Sequence, residues 1–170
     1  SATLRNGPPE VSDIPAGASP YVVDVQVDPP FVDRVAVDAL VAVAERVLRQ
    51  AGQPAGTALT LVITDDETIR ALNRTYRAED SATDVLSFSA TEGDAFVTPD
   101  DEAAYLGDVI VSFPTALAQA GARGEPVEDE LRLLVAHGCL HLLGYDHATP
   151  EEEAAMWALQ AAALRGSTAE

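Results

Sequence analysis

The chain has 170 residues, 47% of them hydrophobic and 22% charged, enough for one domain with a buried core. Its formal net charge is −18 and its 10 basic residues are all arginine, which excludes a general electrostatic affinity for nucleic acid or anionic lipid. A single cysteine excludes an internal disulfide, and no apolar run approaches membrane-spanning length.

Residues 1–20 are rich in Pro, Gly, Ser and Ala and carry no apolar period, so a disordered N-terminal tail is expected. They also lack the basic flank and apolar segment of a secretory signal, which with the lone cysteine points to a reducing, cytoplasmic setting. YVVDVQVD (21–28) alternates Tyr21, Val23, Val25 and Val27 with polar residues, the period of a strand. After Pro29 and Pro30 a helix is expected, capped by Asp33 and ended at Gly52. ALTLVITD (58–65) reads as a second strand. DDETIRALNRTYR (65–77) reads as a helix with acids in its first turn, where the dipole favours them.

DVLSFSA (84–90) and YLGDVIVS (105–112) are two further strands separated by an acidic loop. Ser112 and Pro114 start a short helix to about Gly121, and Pro126 opens another that Gly144 ends. Thr149, Pro150 and Glu152 form a capping box for a last helix to about Arg165, leaving 166–170 as a C-terminal tail. The order β-α-β-α-β-β-α-α-α predicts an α+β domain over 21–165, a four-stranded mixed sheet packed with about five helices.

All three histidines, His137, His141 and His147, fall within VAHGCLHLLGYDH (135–147). At about 100° per residue, His137 and His141 share one helix face, and Gly144 lets the chain turn so that His147 returns to it. The helix is apolar almost all round, so it is expected to be buried, and buried imidazoles need partners. His-x3-His-x5-His supplies three neutral nitrogen ligands and leaves a tetrahedral metal one open position, the pattern of a catalytic zinc site with one ion per chain. Such an ion activates water near neutral pH and suits an anionic substrate such as a phosphodiester. The competing reading is two core histidines bonded to backbone plus a surface histidine. Cys139 points away and is expected to pack.

The spacing also matches the zinc-protease motif His-Glu-x-x-His-x-x-Gly-x-x-His in all but one position, where the catalytic Glu is replaced by Gly138. A metallopeptidase reading thus loses its general base. Arg70, Arg74 and Arg77 recur on one helix face, with Arg70 expected to pair with Asp66 at i,i+4. Asp108 and Asp146 read as structural. Glu130 reads as either a second-sphere partner of a histidine or a helix N-terminal acid.

HGCLHLLGYDH (137–147) resembles the signature of the YbeY family, bacterial single-strand-specific endoribonucleases of ribosomal RNA maturation. LNRTYRAEDSATDVLSF (72–88) is similar to that family's Asn-x-x-Tyr-Arg and Thr-Asp-Val-Leu-Ser-Phe segment, and LGDVIVS (106–112) to its Gly-Asp-Ile-x-Ile-Ser strand. The resemblance spans roughly 21–165. It implies a zincin-like fold, His137, His141 and His147 as Zn2+ ligands, and Arg77 as the functional arginine beside the metal. It further implies hydrolytic processing of small-subunit ribosomal RNA, with ribosomal small-subunit proteins or an assembly GTPase as partners and no membrane. A planar guanidinium at Arg77 can hold two phosphate oxygens. Asp84 either orients Arg77 or a metal-bound water, or caps the start of its strand. The rival function is a ribosome-assembly binding factor in which zinc is structural, which the acidic surface favours through docking on basic ribosomal proteins.

Overall fold

In the computed structural model, which describes residues 20–77, 83–90, 105–145 and 149–169 apart from the side chains of 77 and 166–169, the first alternating stretch becomes edge strand β1 (Val22–Val27). Val23, Val25 and Val27 face the core, while Val22, Asp24 and Gln26 face solvent. The expected N-terminal tail, the acidic loop, Asp146 and His147 lie outside the described residues.

β1 is followed by helix α1 (Val37–Gln50), then β2 (Ala58–Thr64), α2 (Asp66–Arg77), β3 (Val85–Ser89), β4 (Tyr105–Ser112), α3 (Phe113–Arg123), α4 (Val127–Leu142) and α5 (Pro150–Ala169). The sheet order is β1-β2-β4-β3. The first three strands in that order run parallel, with Val25 opposite Leu61 and Leu61 opposite Val109. β3 runs antiparallel on the outer edge, with Ser87 opposite Val109. This is the mixed four-stranded sheet and α+β, zincin-like order expected from the sequence.

The two faces of the sheet are separate. Leu59, Leu61, Ile63, Val109 and Val111 point to the side covered by α1 and α4 and form the main core with Leu40, Val43, Leu131, Leu134 and Val135. The alternate residues Val62, Leu86, Phe88 and Ile110 point the other way and pack on Ile69 and Leu72 of α2. The two-residue period of a strand dictates this division. α5 closes the main core from outside with Met156 and Ala163, and Arg46 Nε of α1 donates to the Ala163 carbonyl at 2.7 Å.

Local chemistry explains most boundaries. Asp65 caps α2, accepting from Thr68 N at 2.8 Å; Ser112 caps α3 through Thr115 N at 3.2 Å; Thr149 caps α5 through Glu152 N at 3.1 Å. α5 continues to Ala169, past its expected end at Arg165. Asp33 is a correction. It lies in a 3-10 turn, Pro29–Arg34, and α1 begins only at Val37, after Ala36, which makes no side-chain cap. Phe31 stacks on Phe113 at 4.8 Å, and that contact together with the two prolines holds the segment tight and out of the helix. Asp66 also ties α2 to α3, its carboxylate accepting from the hydroxyls of Ser112 and of Thr115.

Candidate metal centre

α4 carries the histidines because its other sides are used for packing. Leu131, Leu134, Val135, Cys139 and Leu142 are buried, leaving His137 and His141 on the flank next to α5. Both imidazoles are only partly buried, although the apolar surround had suggested full burial; they open toward the surface, as a substrate site requires. Their Nε2 atoms stand 3.1 Å apart, with the ring planes at 76°.

The orientation of His137 comes from α5. Nδ1 of His137 donates to Oε1 of Gln160 at 3.1 Å. An amide oxygen only accepts, so Nδ1 carries a proton, and in the neutral ring Nε2 then keeps its lone pair, on the side of His141. This is the outer-sphere contact that a metal-ligating histidine ordinarily makes. Two imidazole nitrogens on one tetrahedral zinc, each at ~2.0–2.1 Å, stand about 3.3 Å apart. The observed 3.1 Å therefore fits a shared cation without rearrangement of the helix. Among the described residues no group of three or more His, Cys, Asp or Glu converges on a metal position; the third histidine, His147, falls outside them. Cys139 is wholly buried in the main core, where burial pushes its thiol up to about 12, and it packs as expected.

Gly138, between the two histidines, faces the sheet. A Cβ there would lie 2.5 Å from Val109 Cγ1 and 3.2 Å from Ser87 Oγ. Ser87 Oγ donates to the Gly138 carbonyl at 2.9 Å, locking α4 to edge strand β3 beside the histidines. The position that holds a catalytic Glu in zinc proteases is thus a tight helix–sheet contact, where a side chain would collide with Val109.

Arg77 is the last residue of α2, on the opposite face of the sheet, and its side chain lies outside the described residues. Its neighbour Tyr76 packs edge-on against Phe88 at 5.5 Å, and Phe88 follows Ser87, which holds α4. The end of α2 and the histidine helix thus touch neighbouring residues of β3, Phe88 and Ser87, from opposite faces of the sheet.

Asp84 has different surroundings. It precedes the start of β3, four residues before Phe88, or about 13 Å along an extended strand. Its carboxylate is near Thr83 Oγ1 at 3.4 Å and Gln119 Nε2 at 3.5 Å, and its carbonyl accepts from Ser112 N at 2.9 Å. These contacts hold Asp84 at the start of its strand, between β3 and α3. Glu130 is structural: fully buried at the start of α4, it accepts from Arg123. Burial raises its carboxyl above the usual range, Arg123 opposes that, and Asp84 and Glu125 add to it. Asp108 accepts from the Tyr105 hydroxyl, which also meets Thr60 Oγ1 at 2.7 Å. The Tyr105 hydroxyl is raised by burial and by Asp108.

Gln160 and Ser87 escaped the sequence reading. The available signal for Gln160 was a polar side chain in an Ala- and Leu-rich helix; nothing local distinguished Ser87.

Residues 31–167 match the profile of the family described as endoribonuclease YbeY. The chain belongs to the YbeY family. It is 43% identical over 151 residues to an endoribonuclease YbeY of Dehalococcoides mccartyi, covering 84% of this chain and 94% of that protein. It is 45% identical over 150 residues to an endoribonuclease YbeY of Roseiflexus sp., covering 86% and 93%. The fold is similar to the solution structure of TM1509 from Thermotoga maritima, with a TM-score of 0.56, 20% identity, and coverage of 86% of this chain and 89% of that one. The span matched to the YbeY family takes in Arg77, Asp84, the three histidines and Gln160.

Proposed function

We propose that this chain is a zinc-dependent endoribonuclease that cleaves single-stranded RNA, with His137, His141 and His147 as the metal ligands. The observation that carries the reading is the pair of Nε2 atoms 3.1 Å apart, one of them presented by the Gln160 contact, in a family whose relatives are named as endoribonucleases. A bound zinc supplies a Lewis acid for a phosphoryl oxygen and lowers the pKa of a bound water.

The chain's own residues do the rest. Gln160 holds the proton of His137 on Nδ1, so that this ring enters the site as a neutral ligand. Ser87 and the absent side chain at Gly138 keep α4 seated on β3, which fixes the spacing of the two rings. Arg77, at the end of α2, clamps the phosphate and stabilises the charge that develops on it. Asp84, whose carbonyl accepts from Ser112 N at the start of β3, is offered in this reading as the residue that orients Arg77 or a metal-bound water.

In this reading the natural substrate is small-subunit ribosomal RNA in the cytoplasm, with ribosomal small-subunit proteins or an assembly GTPase as partners. The net charge of −18 favours one alternative, a ribosome-assembly factor that docks on basic ribosomal proteins while zinc serves structure. The experiment is metal analysis of the purified protein together with cleavage of single-stranded RNA, with and without chelator, for the wild type and His141→Ala. The nuclease reading expects near-stoichiometric zinc and cleavage that chelator and the substitution both abolish. A folded His141→Ala protein that still supports ribosome assembly favours the alternative. Protein without zinc that cannot be reconstituted with it overturns the metal reading.

A further inference from the structure

Trp157 is the only tryptophan in the chain and is 42% exposed. It stands one turn before Gln160 on α5, and helix neighbours at i,i+3 share a face. Both therefore reach the same histidine: the indole centroid lies 5.6 Å from the His137 ring, with the planes at 44°. Met156, its neighbour, is fully buried, so α5 is anchored without the indole. A large aromatic is thus held half in solvent at the edge of the histidine pair.

The charge of the chain gives that position a meaning. Most RNA-binding proteins gain affinity by neutralising phosphates with Lys and Arg, but here there is no lysine and the net charge is −18. Base stacking on an aromatic side chain is indifferent to net charge and tolerant of sequence. A base flanking a phosphate at His137 and His141 reaches Trp157 only if it is unstacked from its neighbours. Bases in a duplex have both faces covered and cannot offer one.

We propose that Trp157 is the stacking platform for the unpaired base next to the phosphate held at the histidines, and that this contact selects single-stranded over paired RNA. The proposal rests on the endoribonuclease reading but not on the identity of the metal. As the sole tryptophan, Trp157 reports on itself. The full-length protein as purified is titrated with a 2′-O-methyl oligoribonucleotide, with the same strand made abasic, and with the duplex, following intrinsic emission and its quenching by acrylamide. The base-bearing single strand is expected to quench the emission and shield the indole; the abasic strand and the duplex are not.

By anisotropy of a labelled strand, Trp157→Ala binds about tenfold more weakly and Trp157→Phe stays near the wild type, with no change in salt dependence because no phosphate contact is lost. Equal quenching by the abasic strand, or Trp157→Ala affinity within about twofold of the wild type, overturns the proposal. Repeating the titration after chelator separates the two readings. If cleavage proves independent of metal, the stacking result stands; if stacking is absent while cleavage needs zinc, only this proposal falls.

Discussion

Gln160 Oε1 accepts from Nδ1 of His137 at 3.1 Å, and so a residue of α5 decides which nitrogen of a residue on α4 is available to a ligand. Removing the acceptor frees His137 to rotate and to exchange tautomers. Gln160→Leu is expected to lower zinc affinity by about 10–100-fold, the usual effect of losing an outer-sphere partner. Gln160→Glu keeps an acceptor in place and is expected to retain affinity. Competition with a chromophoric chelator measures both, and nitrogen-15 NMR of the imidazoles reads the tautomer of His137 independently of activity. An unchanged affinity in the Leu variant removes Gln160 from the site.

The contrast between Gln160 and the histidines shows what a sequence makes legible. His137 and His141 lie one turn apart on a single helix, so local geometry alone brings them together, as the Nε2 separation of 3.1 Å reflects. Thr149 and Glu152 are legible for the same reason, since a cap is a contact between near neighbours. The strands follow from alternation, as β1 shows. Asp33 was misread because Phe113, far along the chain, stacks on Phe31 and holds the turn before α1. Ser87 and Gly138, and Gln160 and His137, are pairs joined across the fold. No periodicity encodes them; only the packing of α4 on β3 and of α5 on α4 brings them within reach.

Gly138 tests that packing directly. A methyl group there meets Val109 Cγ1 at 2.5 Å, and the helix must lift from the sheet or Val109 must move. Gly138→Ala is expected to destabilise the fold by about 1–3 kcal/mol through overpacking, measured by urea unfolding. Val109→Ala should recover part of that loss in the double variant, because it removes the colliding atoms. Additive effects would show that the two residues do not contend for the same space. Gly138→Glu, which restores the protease motif, is expected to unfold the site and give no peptidase.

Asp65 governs the start of the helix that ends at Arg77. Its carboxylate accepts from Thr68 N, and that bond, with the Thr68 hydroxyl, lowers its pKa below the ordinary 3.8. An acid whose folded pKa is depressed contributes stability above its unfolded value and loses it as pH falls through the folded one. Asp65→Ala is expected to cost about 1 kcal/mol at neutral pH, with the difference from the wild type shrinking as acid is added below 3.8. Asp65→Asn keeps an acceptor and should lose less. Urea midpoints across the acid range give the comparison, and a pH-independent cost of Asp65→Ala would show that the cap does not act through its charge.

Glu130 carries the opposite sign. Burial at the head of α4 raises its pKa above the ordinary 4.5, with Asp84 and Glu125 adding to the rise and Arg123 opposing it. Between 4.5 and the raised folded value the native state therefore holds more protons than the unfolded chain, and stability falls as pH rises through that window. Glu130→Gln keeps the shape and an acceptor for Arg123 without the buried charge. Its stability relative to the wild type is expected to improve as pH rises from below 4.5 to neutrality. Urea unfolding at fixed ionic strength, with the slope m checked for constancy, decides the point. A relative stability that instead declines with pH would mean that the Arg123–Glu130 pair outweighs the cost of burying the acid, and that the head of α4 is held by charge more than by packing.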